Sequence, residues 1–377
     1  MSKTLLEIAQ QLKDSDKKIQ LIYAFNGTGK TRLSRLFKNL VAPKQEDEEG
    51  VTRKIILYYN AFTEDLFYWN NDLESGTEPK LKIQPNTFTD WVLREQGQDR
   101  NVITKFQHYT NSRINPEFSP DFSEVVFSLL REDGNWEHNL KISKGEESNF
   151  IWSIFFVLLE QVIEVLNIAE PEERGTSEFD DLKYIFIDDP VSSLDENHLI
   201  ELAVDLAALI RRNTGLKFII TTHNPLFYNV LYNELKLKSK KNRESAYLLE
   251  KHKDGAFDLE HKQGDSNRAF THHLYLKQLI RKAIDNDTVQ RHHFTFLRNL
   301  YEKTASFLGY ENWSELLPDE KQTYYTRIVN FTSHSTLSNE AVAEPSPQEK
   351  KMVEFLLNHL LDKHKFYNEQ KTSTSEE

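Results

Sequence analysis

The chain has 377 residues, no cysteine and a formal net charge of −12, with 38% hydrophobic and 12% aromatic residues. That length suffices for two domains with cores of their own, and the missing cysteines exclude disulfides and thiolate metal sites. The acidic balance argues against broad, sequence-blind adhesion to nucleic acid.

The opening MSKTLLEIAQQLKDSDKK is polar and amphipathic, without the apolar core of a signal peptide. No apolar run is expected to reach the ~20 residues of a membrane span, so the expectation is a cytoplasmic protein with no membrane partner. IQLIYAF (19–25) reads as a buried strand, followed by a Gly-rich turn and the helix KTRLSRLFKNL. PKQEDEEG (43–50) is an acidic, solvated insertion, and KIILYYN (54–60) a second strand. A long apolar helix, NFIWSIFFVLLEQVIEVL, precedes a second acidic surface stretch, EPEERGTSEFD (170–180).

LKYIFIDD (182–189) and LKFIITTH (216–223) are two further strands, separated by the helix ENHLIELAVDLAALIRR. Strands alternating with helices predict a parallel sheet covered on both faces. SAYLLEKHKDGAFDLEHK predicts a hairpin turning at Asp254-Gly255. Beyond about residue 264 only helical patterns remain, which divides the chain into residues 1–263 and 264–377. The last residues, KTSTSEE, are expected to fray. Between Arg268 and Lys303 the sign of the chain reverses: Arg268, Lys277, Arg281, Lys282, Arg291, Arg298 and Lys303 face only Asp285, Asp287 and Glu302.

AFNGTGKT (24–31) is a phosphate-binding loop. Asn26, Gly27, Thr28 and Gly29 would let backbone N–H groups surround phosphates, Lys30 would reach the β- and γ-phosphates, and Thr31 would ligate Mg²⁺. The usual opening glycine is Ala24 here. YIFIDD (184–189) supplies the second half: Asp188 is placed to hold Mg²⁺, and Asp189 sits where a water-polarising carboxylate belongs. ATP or GTP with Mg²⁺ is therefore the expected cofactor.

With SKGEES (143–148), SSLD (192–195) and His223 added, the first domain resembles the ABC-type ATPases, in the branch holding the SMC and Rad50 proteins. That resemblance implies that Ser143 and Gly145 contact the γ-phosphate held by a partner's loop. It also implies that His223 senses this phosphate, that Asp195 lies in a loop crossing between subunits, and that the protein is at least a homodimer. Two departures stand out: the catalytic Glu of that class is Asp189 here, and Asn60 is the nearest counterpart of its glutamine. Only about 110 residues separate Thr31 from Ser143, too few for long coiled-coil arms.

RNLYEKTASFLGY (298–310) places Arg298 and Glu302 one helical turn apart, on one face. TRIVNFTSHST (326–336) carries Arg327 and His334, two turns apart if 327–334 is helical. An Arg, a Glu and a His converging suit metal-free RNA cleavage. Glu302 takes the ribose 2′-hydroxyl proton, His334 protonates the leaving 5′-oxygen, and Arg298 stabilises the phosphorane. The competing reading of Arg298 and Glu302 is an ordinary surface ion pair. Tyr275, Phe294, Phe296 and Tyr301 are available for base stacking or for core packing.

The strings YYNAFTEDLFYW (58–69), SKGEESNFIW, FIDDPVSSLD, GDSN, RNLYEKTASFLGY and NFTSHSTLSNEA resemble the PrrC-type anticodon nucleases across both domains. The resemblance implies an α/β ABC-type ATPase domain followed by a mainly α-helical nuclease domain. It implies the triad Arg298, Glu302 and His334, with no cofactor for RNA cleavage, and recognition of the anticodon through Asp265, with Ser266 and Asn267 beside it.

It further implies cleavage of a tRNA anticodon loop, lysine tRNA leading, to 2′,3′-cyclic phosphate and 5′-hydroxyl ends. The implied role is a phage-defence toxin silenced by a type I restriction–modification complex. The Arg327-x₆-His334 spacing separately resembles the helical HEPN ribonucleases, which pair two such motifs across a dimer. The alternative is an SMC/Rad50-like DNA-sensing ATPase whose helical tail is a protein-docking module.

Overall fold

In the computed structural model the described residues are 3–43, 55–60, 63, 65–70, 78–110, 113–190, 196–237, 245–252, 254–262, 272–319, 321–332 and 345–366. They form two compact units, Met1–Ser266 and Asn267–Glu377. Each is described by itself.

The apolar, β-branched runs of the first unit pair as a six-stranded sheet. In chain order its strands are β1 (Ile19–Tyr23), β2 (Ile56–Tyr59), β8 (Tyr184–Asp188), β9 (Lys217–Thr222), β10 (Ala246–Lys251) and β11 (Phe257–His261). The spatial order is β11-β10-β1-β9-β8-β2. Every pairing is parallel except the β10–β11 hairpin, which turns through Gly255 at φ +87°. Tyr23 aligns with Thr222 and Asp188 with Thr221, so the C-terminal ends of β1, β8 and β9 lie side by side. In parallel α/β sheets that edge is where ligands bind.

Helix α1 (Leu5–Asp14) begins with a Thr4–Glu7 capping box. With α2 (Lys30–Val41) it covers one face, where Ile8, Leu12, Leu33 and Phe37 pack on Ile22, Phe186 and Ile219.

A second sheet, antiparallel and five-stranded, was not anticipated by the sequence. It joins β3 (Phe67–Trp69), β4 (Leu81–Ile83), β5 (Ile114–Phe118), β6 (Glu124–Leu130) and β7 (Trp136–Glu137). Three of these strands have only two or three residues, too few to display an alternating pattern. The β5–β6 turn is fixed instead by side chains, with the Asp121 carboxylate accepting from the Ser119 and Ser123 hydroxyls.

Helix α3 (Asp99–Tyr109) leads into β5, and α4 (Lys144–Leu166) is 23 residues long. Contrary to the expectation of no membrane-length run, α4 is long and apolar enough to cross a membrane, with 72% of its apolar window buried inside the protein. Its neighbours explain the composition. Phe150 meets Phe127 of β6 and Phe118 of β5, while Trp152 and Phe155 meet Tyr59 of β2. A helix held on both sides by protein is apolar all round. Every residue from Glu147 to Leu159 is buried.

Helices α5 (Glu196–Arg212) and α6 (Pro225–Glu234) complete the unit, with Tyr228 of α6 set edge-on to Tyr23 of β1. The acidic stretch 170–180 is more than a solvated insertion, because Phe179 is buried edge-to-face on Trp91 with centroids 4.7 Å apart.

Among its described residues the second unit contains only helical elements: α7 (His272–Asp285), α8 (Arg291–Leu308), a short 3₁₀ turn (Trp313–Leu316), α9 (Lys321–Thr332) and α10 (Pro347–Lys363). Phe294, Leu297, Leu300 and Tyr301 of α8 pack on Val353, Leu356 and Leu357 of α10, and the Tyr301 hydroxyl donates to the Leu356 carbonyl at 2.9 Å. Gly309, left-handed at φ +79°, ends α8 at the position where glycine costs least.

Candidate functional site

The phosphate loop follows from its glycines. Gly27 (φ +78°) and Gly29 (φ +111°) adopt backbone that L side chains avoid, and a Cβ on Gly29 would sit 3.3 Å from Leu5 Cδ1. Gly29 caps the N-terminus of α2, so the loop delivers N–H groups and the positive end of a helix to one place. Asn26 and Thr28 belong to the same turn, where Thr28 donates its N–H to the Phe25 carbonyl at 3.2 Å.

Lys30 is buried and donates to the Ala24 carbonyl and to Asn26 Oδ1, each at 3.2 Å. Its ammonium lies 3.5 Å from Asp189 Oδ2. The same carboxylate oxygen is 2.5 Å from His223 Nδ1, and the His223 N–H approaches Asp189 Oδ1 at 3.3 Å. Asp189 holds a left-handed backbone, φ +55°, immediately after β8. That conformation is costly for a non-glycine residue and aims the side chain across the strand ends. Burial alone would raise its pKa, but the His223 hydrogen bond and the nearby Lys30 charge outweigh burial and hold it below the ordinary carboxylate range.

Asp188 is the opposite case. Burial pushes its pKa up, against hydrogen bonds from the Thr221 and Thr31 hydroxyls. Thr221 Oγ1 lies 2.5 Å from Asp188 Oδ1, and Ser34 Oγ approaches Oδ2 at 3.5 Å. A carboxylate and a threonine hydroxyl meeting beside a buried lysine are the hard-oxygen donors Mg²⁺ takes next to phosphate. The residues present therefore fit a Mg²⁺–nucleoside triphosphate, with Thr31 and Asp188 toward the metal and Lys30 and the loop N–H groups toward the phosphates.

The sequence reading missed two members of this site. Ser34, one turn after Thr31, shares a 2.7 Å hydrogen bond with the Tyr58 hydroxyl, which accepts from Asn60 Nδ2 at 2.8 Å. A hydrogen-bonded chain thus runs from Asn60 at the end of β2 to Asp188. Tyr58 lies two residues before Asn60 and shares its strand face, the one signal that could have found it.

Ser143 is the N-cap of α4: its hydroxyl accepts from the Glu146 N–H, and the Glu146 carboxylate accepts from the Ser143 N–H at 2.7 Å. The Ser-x-Gly-Glu string is therefore a capping box, with Gly145 in the first turn. Glu147, buried in the same turn, accepts from Trp69 Nε1 at 2.9 Å and pairs with Lys144 at 2.6 Å, tying this helix end to β3.

In the second unit Arg298 Nε donates to Glu302 Oε1 at 2.7 Å, both side chains about one-third exposed. The Arg298 guanidinium carbon lies 5.9 Å from the centre of the Trp313 ring. Phe294 and Tyr301, candidates for base stacking, are fully buried in the helical core and unavailable to a ligand. His334, Asp265, Ser266, Asn267 and Asp195 lie outside the described residues, as do the side chains of Arg327 and Tyr275.

A family model described as an AAA domain matches residues 100–358. An anticodon nuclease of Escherichia coli is 57% identical over 398 aligned positions, covering 98% of this chain and 99% of that protein. Among solved structures, the SMC head domain from Thermotoga maritima is 11% identical with a TM-score of 0.31, covering 66% of this chain and 91% of that one. An Smc head bound to the C-terminal winged-helix domain of ScpA is 10% identical with a TM-score of 0.34, covering 64% and 89%.

Proposed function

Because the chain belongs to the anticodon nuclease family and to the AAA-domain family, we propose that it is a nucleotide-regulated endoribonuclease that cuts the anticodon loop of a tRNA, with lysine tRNA the first substrate to test. The observation that carries the reading is the Arg298–Glu302 pair, 2.7 Å apart on one face of α8 and open to solvent.

Glu302 accepts the proton of the ribose 2′-hydroxyl as the 2′-oxygen attacks the adjacent phosphorus. Arg298 places its guanidinium against the phosphorane, whose extra negative charge it stabilises. His334 gives a proton to the departing 5′-oxygen, leaving a 2′,3′-cyclic phosphate and a 5′-hydroxyl. No step calls for a metal ion. Asp265, Ser266 and Asn267 are assigned to reading the anticodon. Residues 264–377 form the nuclease domain on this view, and Arg327 joins its site if the domain is of the HEPN kind.

Residues 1–263 act as the gate. Lys30, Thr31 and Asp188 would hold Mg²⁺–ATP or Mg²⁺–GTP, which supplies phosphate charge to draw Lys30 from Asp189. Ser143 and Gly145 would complete the site of a second copy, making the active form a homodimer. A cytoplasmic location follows from the substrate. A toxic nuclease requires restraint, which we assign to a type I restriction–modification complex whose failure during phage infection releases it.

The test is incubation of the purified protein with total bacterial tRNA in excess EDTA, with and without Mg²⁺–nucleotide, followed by mapping of fragment ends. One anticodon-loop cut ending in a cyclic phosphate, lost in His334→Ala while nucleotide binding persists, is the expected result. Intact tRNA under every condition overturns the reading.

A further inference from the structure

The aromatic residues best placed beside Arg298 and Glu302 are not those the sequence singled out. Trp313, in the 3₁₀ turn, and Tyr325, on α9, stack with centroids 5.2 Å apart and planes 25° apart. The Arg298 guanidinium lies over the same indole at 5.9 Å. Tyr301 meets the indole edge-on at 6.2 Å and fixes it from the core side. Trp313 is partly buried against the helical core, whereas Tyr325 stays outside that core and is 38% exposed. The pair runs from the helical core into solvent on the same indole that Arg298 approaches, so the outer ring keeps part of its area accessible.

Resting on the nuclease reading, we propose that Trp313 and Tyr325 form a stacking platform for an unpaired nucleobase of the RNA, next to the phosphate that Arg298 engages. The platform uses the π-face that every base shares, so it contributes affinity and register and leaves identity to other contacts. Anticodon-loop bases can be splayed out of their own stack, which a duplex would not permit without unpairing. Trp313 has a second part to play. Its ring centre lies 5.9 Å from the guanidinium carbon, so it steadies the Arg298 fork together with the hydrogen bond from Nε to Glu302.

The test compares steady-state tRNA cleavage by the full-length chain with that of Tyr325→Phe and Tyr325→Leu. Tyr325→Phe keeps the π-face and is expected to raise KM far less than Tyr325→Leu does. Tyr325→Leu is expected to raise KM about ten- to a hundredfold, with kcat within about threefold. A packing residue would instead lower the thermal midpoint, and a midpoint shift in Tyr325→Leu without a KM change overturns the proposal.

A second measurement needs no change at Tyr325. A single-stranded 2′-deoxyoligonucleotide of anticodon-loop sequence, which lacks the attacking hydroxyl, is titrated against wild type and Trp313→Phe. Loss of a distinct part of the tryptophan quench in the variant supports the platform, and identical quenching overturns it. If wild type cuts tRNA and both variants behave as wild type, the platform fails and the nuclease stands. If wild type cuts nothing, both fall.

Discussion

The Asp189 carboxylate closes on the His223 imidazole, Oδ2 to Nδ1 at 2.5 Å, while Lys30 stands 3.5 Å from the same oxygen. The phosphate-loop lysine is thereby paired with a carboxylate of the protein itself. A triphosphate bound in this loop would have to compete for Lys30, leaving Asp189 and His223 to each other. Phosphate binding at β1 would in this way be felt at the ends of β8 and β9.

Lys30→Ala removes the cation and three contacts at once. Nucleotide affinity is expected to fall at least about a hundredfold, or about 3 kcal/mol. The check is the rise in thermal midpoint on adding Mg²⁺–nucleotide, which wild type is expected to show and the variant to lose.

Asp188→Asn separates stability from function. Burial raises the folded pKa of Asp188 above its unfolded value, so the stability this group contributes is present below the unfolded pKa and lost as pH rises through the folded one. Burial therefore weighs against its charged form in the absence of metal. Without nucleotide, Asp188→Asn is expected to match or exceed the wild-type midpoint at pH 7, and to lose that advantage as pH falls toward 4. With Mg²⁺–nucleotide only wild type should be stabilised. Asp189 behaves in the opposite sense: its folded pKa is lowered, and its contribution holds above the unfolded pKa and is lost in acid.

Glu302→Gln discriminates an active-site pair from a surface ion pair. An exposed i,i+4 pair contributes under about 0.5 kcal/mol to stability. A general base contributes about 10²–10⁴ in rate. Cleavage is expected to fall by that factor with the denaturant midpoint nearly unmoved; equal, small changes in both would return the pair to the bland reading. Arg298→Lys keeps the charge but loses the planar fork, and should also be slow.

Gly29→Ala tests the phosphate loop. The backbone at φ +111° and the 3.3 Å approach to Leu5 Cδ1 should together cost about 1–3 kcal/mol of unfolding free energy. Gly215→Ala, where a Cβ meets nothing within 4 Å and φ is not left-handed, is the control and should change little.

The sequence by itself determined the parallel sheet, its C-terminal edge and the helical character of the second unit. These are set by near neighbours: a buried strand must be apolar along its length, a phosphate loop must have its glycines, and an amphipathic helix repeats every three to four residues. Asp188, Asp189 and His223 could be placed at strand ends for the same reason.

What lies between segments far apart in sequence was decided by the tertiary structure. The antiparallel sheet includes three strands too short to show a period, and Phe150 of α4 packs on its two longer strands. Ser34 reaches Tyr58, and Arg298 reaches Trp313, only because the fold brings them together. Tyr301 and Phe294, which the sequence left open to base stacking or core packing, are core residues, while Tyr325 remains at the surface. An aromatic residue reads the same in a sequence whether it packs inward or faces water, and which of the two it does depends on the rotation of its helix against neighbours the local pattern does not name.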